Sequence, residues 1–248
     1  MLGPGPPGEV PAGRGSVDIP ETTSKVGSVQ DASTLPDDWA AVVGAELPDL
    51  DAIYGIQDTV LPDRSSVFRA FHATPPDRVR ISMLGKDPYP KFGMADGLAF
   101  SQPRSIDRRS ALHRLFLNLE RDVSTAFVRP TTGGLSKWAS NGVLLLNSAL
   151  TVRAGSPASH VEHWSEFVKA VIRFFDRPGG EVAFMLLGHP AIELALPELT
   201  QVEPASIIRA AHPMAGEPGR ERPFHTARVF SEANAFLGPS RCVNWSLT

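Results

Sequence analysis

The chain has 248 residues, of which 42% are hydrophobic and 21% charged, and it carries a formal net charge of −3. No apolar run approaches the roughly 20 residues that cross a bilayer, which excludes a membrane-spanning helix. Cys242 is the only cysteine, so an internal disulfide and a cluster held by four thiolates of this chain are excluded. His160 and His163 are the only close histidine pair and no HExxH motif is present, so we expect neither a metal nor a cofactor.

The first part of the chain differs from the rest in composition and charge. Residues 1–35 are rich in Gly, Pro, Ser and Thr, which predicts a disordered acidic tail before a single domain at 36–248. Residues 1–51 contain nine acidic residues against Arg14 and Lys25, a net charge of −7, so the remaining chain carries +4. This positive balance permits nucleic-acid binding without requiring it. The amino terminus lacks the features of a secretory signal, so we expect a cytoplasmic protein.

The apolar pattern predicts strands that alternate with helices. Four short apolar runs are predicted to be buried strands: Val79–Leu84, Val143–Leu146, Val182–Leu187 and Ile207–Ala210. Apolar residues at helical spacing predict three helices, within 112–119, 164–175 and 229–236, the last of them ended by Gly238-Pro239. The pattern therefore predicts an α/β fold with a central four-stranded, mainly parallel sheet flanked by helices on both faces.

Polar residues follow each predicted strand. Asp87 and Tyr89 follow the first strand, Asn147 the second, His189 the third and His212 the fourth. Each of them alone has an ordinary structural explanation, such as a turn, a cap or a hydrogen-bonded core histidine. Ligands of open parallel sheets, however, bind just beyond the carboxyl ends of the strands. The convergence of these residues on one edge therefore predicts a functional site there.

Several motifs carry a family resemblance. The chain reads GKDPYP at 85–90 and GLAFS at 97–101, where family 1 uracil-DNA glycosylases typically read GQDPYH and GLCFS. The match continues through VFRAF at 67–71, LSKWASNGVLLLNSALTVRAGSPASH at 135–160, AHP at 211–213 and VNW at 243–245. Because motifs of this length and order are specific, the chain resembles family 1 uracil-DNA glycosylases from about residue 60 to its end.

The resemblance implies hydrolysis of the bond between uracil and deoxyribose in DNA, which leaves an abasic site. Asp87 is expected to stabilise the cationic sugar and to orient the attacking water. His212 is expected to donate a hydrogen bond to uracil O2, assisted by backbone N–H groups near Lys86.

The resemblance also implies a pocket that selects uracil. The amide of Asn147 matches uracil O4 and N3–H in one orientation, a pattern that cytosine reverses. Phe100 is expected to stack on the base, and Tyr89 to exclude thymine by overlap with its C5 methyl group.

Contacts to DNA are expected around this pocket, because the base must be flipped out of the helix. By position in the family, Ser110, Gly188, His189 and the loop after His212 contact phosphates. Arg108 and Arg109, beside Ser110, are candidates for further phosphate contacts.

The chain departs from the family pattern at the rim of this site. Pro90 replaces the family's histidine, and Met214 and Gly216 stand where the family has a phosphate-binding serine and an inserted leucine. Since glycine has no side chain to insert, we expect Met214 or Arg220 to substitute, and duplex handling to differ while uracil chemistry is retained. Proteinaceous inhibitors that mimic DNA at this loop are expected to bind this chain more weakly than they bind other family members. We expect the protein to be a monomer.

Other classes fit less well. Iron–sulfur uracil glycosylases need four cysteines, and mismatch-type and single-strand-selective enzymes usually carry Asn where Asp87 stands. A nucleotide-binding α/β protein would need a GxGxxG or GxxxxGK[ST] loop, which is absent. A non-catalytic DNA-binding module on the same fold stays open because of the altered loop after His212, although it would give Asp87 and Asn147 no purpose.

Overall fold

The computed structural model describes residues 1–3, 31–55, 57–123, 127–215, 219 and 221–247. The predicted disorder of the amino-terminal tail concerns mainly residues 4–30, which lie outside this part. A compact unit spans Asp31–Thr248. It begins before the predicted boundary at residue 36, because Ala32 is buried and its backbone hydrogen bonds to Ser65 and Phe68.

The described residues form helices and strands that alternate along the chain. The helices are α1 (Asp37–Val43), α2 (Leu50–Tyr54), α3 (Arg69–Ala73), α4 (Ala111–Asp122), α5 (Ser136–Ser140), α6 (Val161–Phe175), α7 (His189–Ala195) and α8 (Val229–Leu237). The strands are β1 (Val60–Leu61), β2 (Ile81–Gly85), β3 (Gln102–Ser105), β4 (Thr132–Gly133), β5 (Val143–Asn147), β6 (Val152–Arg153), β7 (Ala183–Leu187) and β8 (Ile207–Ala210). None of the helices in this part of the chain has the length and apolar character needed to cross a bilayer.

The central sheet has four parallel strands in the order β5-β2-β7-β8, which confirms the predicted sheet. Strand β2 begins at Ile81 rather than at the predicted Val79, because the N–H of Val79 still donates to Pro76 O in a 3-10 turn. The pairs β1–β6 and β3–β4 form two small antiparallel sheets that were not predicted.

Packing on both faces of the central sheet stabilises the fold. Every residue of β2, β5 and β7 is buried, as expected for strands covered on two sides. The predicted apolar face of α4 is fully buried at Leu112, Leu115, Phe116 and Leu119. The three predicted helices are therefore confirmed as α4, α6 and α8.

The topology brings the ends of β2 and β5 to one place. From β2 the chain runs to β5 on one side, and later reaches β7 on the other side of β2. This reversal makes the carboxyl end of β2 a topological switch point, where open α/β sheets bind ligands. Gly85 ends β2 directly opposite Asn147, the last residue of β5.

Candidate active site

A cavity of about 270 Å³ opens beyond these strand ends. Its lining contains all six residues predicted as catalytic or uracil-binding: Lys86, Asp87, Tyr89, Phe100, Asn147 and His212. Three of the predicted DNA contacts, Arg109, Ser110 and Met214, lie in the same lining. These nine residues come from five separate segments of sequence, which meet around one cavity.

The floor of the cavity depends on a residue without a side chain. A Cβ on Gly85 would lie 2.7 Å from Asn147 Oδ1 and 3.0 Å from Phe100 Cζ. The side chain of Asn147 is 8% exposed, and its amide has no hydrogen-bond partner among the described residues. Its donors and its acceptor are therefore available to a ligand in the cavity.

The wall of the cavity is made by Tyr89 and Phe100, which are fixed to each other. The Tyr89 hydroxyl donates to Phe100 O at 3.2 Å and accepts from the N–H of Leu112 at 3.4 Å. Burial raises the pKa of Tyr89 to about 12, so the phenol is neutral at physiological pH. Phe100 has a positive φ of 65°, a conformation that non-glycine residues keep only where the surroundings impose it.

Asp96 holds the loop that carries Phe100, a role that the sequence analysis did not predict. Its Oδ2 accepts from Arg69 at 2.5 Å and from Ser101 Oγ at 2.8 Å. Its Oδ1 accepts from the N–H of Leu98 at 3.2 Å. These bonds fix the backbone on both sides of Phe100.

Asp87 is oriented by a backbone group from another loop. The N–H of Ala158 donates to Asp87 Oδ2 at 2.6 Å. Ala158 has a positive φ of 66°, and Pro157 beside it lines the cavity. The carboxylate therefore keeps Oδ1 for other partners.

His212 is held as a neutral imidazole. The N–H of Met214 donates to His212 Nδ1 at 3.1 Å, so Nδ1 carries no proton and Nε2 carries the ring N–H. Burial lowers the pKa of His212, the charge of Lys86 lowers it further, and Asp87 opposes them. The ring packs against Gly188, where a Cβ would lie 2.7 Å from His212 Cβ.

The expectation that the site holds no metal concerns the His, Cys, Asp and Glu side chains. No group of three or more His, Cys, Asp or Glu side chains within the described ranges is arranged to hold a metal ion.

The rings of Phe100 and His212 lie 6.4 Å apart, centroid to centroid, at an interplanar angle of 34°. The imidazole therefore lies beside the ring that is predicted to stack on the base.

The family model described as the Uracil DNA glycosylase superfamily matches residues 71–237, a range that holds every residue of this cavity. The chain belongs to the uracil-DNA glycosylase superfamily. A uracil-DNA glycosylase of Chlamydia abortus is 38% identical over 77% of this chain and 82% of its own length. A uracil-DNA glycosylase of Agathobacter rectalis is 37% identical over 83% of this chain and 93% of its own.

Solved structures of uracil-DNA glycosylases share the fold. Mimivirus uracil-DNA glycosylase aligns with a TM-score of 0.66 at 23% identity, over 80% of this chain and 79% of that one. A variant of mimivirus UNG in complex with UGI aligns with a TM-score of 0.70 at 22% identity, over 87% and 90% of the two chains.

The residues predicted to contact DNA in this glycosylase lie in different settings. The hydroxyl of Ser110 donates to Asp107 O at 2.6 Å and accepts from His113 N at 3.2 Å, so it caps α4. Arg108 and Arg109 are exposed beside it. A phosphate near Ser110 would therefore meet the two arginines as well as a hydroxyl that is already engaged.

On the other side of the cavity, one predicted DNA contact packs against His212 and two are exposed to solvent. Gly188 supports His212, whereas His189 is exposed and pairs with Glu193 at 3.0 Å. Met214 is 42% exposed at the rim of the cavity. The alternative insertion residue, Arg220, lies outside the described residues.

Proposed function

We propose that this uracil-DNA glycosylase hydrolyses the N-glycosidic bond of a flipped-out deoxyuridine with Asp87 and His212 as its catalytic pair. The observation that carries this assignment is that Asp87, His212 and Asn147 line one cavity at the switch point of the sheet. A carboxylate, an imidazole donor and an amide then surround a single pyrimidine nucleotide.

Asp87 stabilises the sugar side of the reaction. As the bond breaks, positive charge develops on deoxyribose and negative charge on uracil, so fixed charges near each group lower the barrier. The Ala158 N–H engages Oδ2, which leaves Oδ1 to orient the attacking water. The hydrolysis needs no covalent intermediate: the bond from C1′ to uracil breaks and uracil leaves as an anion, water adds to C1′ and loses one proton to leave a hydroxyl group, and the uracil anion takes up one proton.

His212 stabilises the base side of the reaction. Because Nδ1 accepts from Met214, Nε2–H is the group that donates to uracil O2 as negative charge collects there. The lowered pKa keeps the ring neutral near pH 7, so the donor stays in place through the reaction. Backbone N–H groups near Lys86 are further donors in the lining.

Selectivity for uracil comes from one amide and two rings. Asn147 pairs with uracil O4 and N3–H, whereas cytosine would leave buried groups unpaired at a cost of about 1–3 kcal/mol each. Phe100 covers the face of the base. Tyr89, a neutral and fixed phenol, lies against C5 and leaves no room for the methyl group of thymine.

Contacts to the DNA strand come from the rim of the cavity. Phosphates bind at Ser110 with Arg108 and Arg109, and near Gly188 and His189. Extruding the nucleotide costs a few kcal/mol, and Met214 or Arg220 fills the gap that it leaves in the helix.

We further propose that the chain works as a monomer, because one chain supplies the whole lining of the cavity, and that it acts in the cytoplasm. Inhibitors of the UGI kind, which mimic DNA, should bind it less tightly than they bind enzymes with the family's serine and leucine after the histidine. Titration of this chain with UGI measures that affinity, and undiminished tight binding contradicts this part of the proposal.

The proposal is tested with a single-stranded oligonucleotide that carries one uracil, by counting alkali-labile sites. Asp87→Asn and His212→Leu should each lower the rate about 100- to 1000-fold, the usual effect of losing one preorganised electrostatic group. Asp77→Asn, the same change in an exposed turn before β2, is the matched control. A wild-type chain that releases no uracil, or an Asp87→Asn variant with the wild-type rate, refutes the assignment.

A further inference from the structure

A second cavity, of about 410 Å³, lies beside the first. Its lining includes three cations, Lys91, Arg104 and Arg109, and the ring of Phe92. The two cavities adjoin, because Arg109 lines both and Pro90 of the first precedes Lys91 of the second. We call the second cavity the Phe92 groove.

A tight turn exposes the ring of Phe92. The N–H of Met94 donates to Lys91 O at 3.2 Å, and Gly93 has a positive φ of 73°, which the third position of a type II turn requires. The turn keeps Phe92 out of the core, and its side chain is 76% exposed. A single exposed aromatic residue is common on protein surfaces, so its neighbours decide what it does.

Three of those neighbours are cationic: Lys91, Arg104 and Arg109. The guanidinium of Arg104 lies 4.0 Å from where a Cβ of Gly93 would stand, next to the turn that presents the ring. Among the described residues in the lining, Asp107 is the one carboxylate, and its Oδ1 accepts from the N–H of Arg109. Three cations against one anion suit a polyanion, while an apolar protein partner would need a larger apolar face.

We propose that the Phe92 groove binds the single-stranded DNA next to the flipped uridine, with a neighbouring base stacked on Phe92 and phosphates paired with Lys91, Arg104 and Arg109. An aromatic platform among cations is how proteins hold single strands without reading their sequence. The inference rests on the proposed excision of uracil and names the form of DNA that the site takes.

The groove also gives this chain a way to hold a strand where the family's leucine is absent. A base that stacks on Phe92 must be unpaired or extruded, because both faces of a base are covered within a duplex. The groove therefore favours single-stranded substrates over duplexes, and it acts through binding rather than through the chemical step.

Fluorescence of 2-aminopurine tests the stacking directly. A single-stranded oligonucleotide carries a stable abasic analogue in place of the uridine, with 2-aminopurine on its 5′ side in one version and on its 3′ side in another. Wild type should quench at least one version on binding. Phe92→Ala should abolish that quenching and weaken binding about tenfold, the loss expected for one stacked base.

Matched variants separate stacking from general effects. Phe92→Trp should keep quenching and affinity, while Phe92→Leu, which is apolar but cannot stack, should lose both. Val128→Ala, at another exposed apolar side chain that is 63% accessible, should change neither. Wild-type quenching and affinity in Phe92→Ala overturn the proposal, and wild-type affinity in Phe92→Leu shows an apolar contact of another kind and overturns it as well.

An activity measurement distinguishes this inference from the proposed function. Phe92→Ala should lower kcat/KM about tenfold on a single-stranded uracil oligonucleotide, and not at all when the neighbouring nucleotides are abasic. If wild type releases no uracil, the proposed function fails while the fluorescence result still decides the groove. If wild type is active and Phe92→Ala matches it on both substrates, only the groove is refuted.

Discussion

The interior of the first cavity, beyond the ends of β2 and β5, and the rim of that cavity differ in how their residues are held. Inside, Gly85, Asn147 and Phe100 are in such close contact that one added carbon atom produces a clash. At the rim, Phe92 is 76% and Met214 42% exposed, with room around their side chains. The interior keeps Asp87, Asn147 and His212 of the family's motifs, whereas the rim has Met214 in place of the family's serine. Close packing inside therefore leaves no space for an added atom, whereas side chains at the rim have space to change.

Within this comparison, the largest effect on kcat/KM should come from adding a single methyl group to the packed interior. Gly85→Ala places a Cβ 2.7 Å from Asn147 Oδ1, which displaces the amide and the Phe100 ring. A displacement of about 1 Å in a catalytic arrangement costs about 100-fold, so kcat/KM for uracil release should fall by that order. Gly134→Ala is the control, because nothing lies within 4 Å of its Cβ position. Equal rates for Gly85→Ala and wild type, with similar melting temperatures, contradict the comparison.

A second effect should appear in the choice of base. Tyr89→Ala removes the wall at C5, so the preference for uracil over thymine should fall by about 10- to 200-fold, the range for one carbon in a pocket. Tyr89→Phe keeps the ring and should keep the preference. Release of both bases from matched single-stranded oligonucleotides measures it. An unchanged preference in Tyr89→Ala means that another group excludes thymine.

A third effect concerns pH. Activity should fall as the pH decreases through the pKa of His212, because protonation of Nδ1 breaks the bond from Met214. Burial and Lys86 hold that pKa below its ordinary value of 6.5. Lys86→Gln removes one cause of the lowering, so the pKa rises and the acid limb of kcat/KM should move to higher pH. Lys169→Gln, on α6, should leave the limb in place, and movement to lower pH in Lys86→Gln contradicts the account.

The smallest expected effect is that of a substitution at the rim on the salt dependence of DNA affinity. Arg108→Gln removes one exposed cation, so the slope of log affinity for a single strand against log salt concentration should become shallower by about 0.7. Its effect on kcat for bound substrate should be negligible. Arg78→Gln, at an exposed arginine before β2, should leave the slope unchanged. An Arg108→Gln variant with the wild-type slope means that this arginine touches no phosphate.

The sequence predicted the long elements because burial imposes a pattern on them. Strands β2, β5, β7 and β8 are apolar runs, and α4, α6 and α8 repeat apolar residues over two or more turns. The short helices α2, α3 and α5 have five residues each, too few to show a helical period. The strands of two to four residues that form the small sheets carry no alternation for the same reason.

The sequence predicted that Asp87, Asn147 and His212 meet at the strand ends, but not the groups that hold the site in place, such as the Ala158 N–H and the Asp96 carboxylate. Asp87, Asn147 and His212 carry recognisable chemical groups at strand ends. Ala158 contributes an N–H, which every residue except proline possesses, and its positive φ has no signature in the sequence. Ser110 stood in the motif as a phosphate contact, but only the structure shows its hydroxyl capping α4.

The most direct test is a crystal structure of Asp87→Asn bound to a single-stranded oligonucleotide with one deoxyuridine. We expect the uracil to lie inside the first cavity, with O2 within hydrogen-bond distance of His212 Nε2, N3 and O4 paired with Asn147, and the sugar beside position 87. A uracil bound elsewhere, or one whose sugar lies away from position 87 while His212 faces solvent, would refute the proposed function.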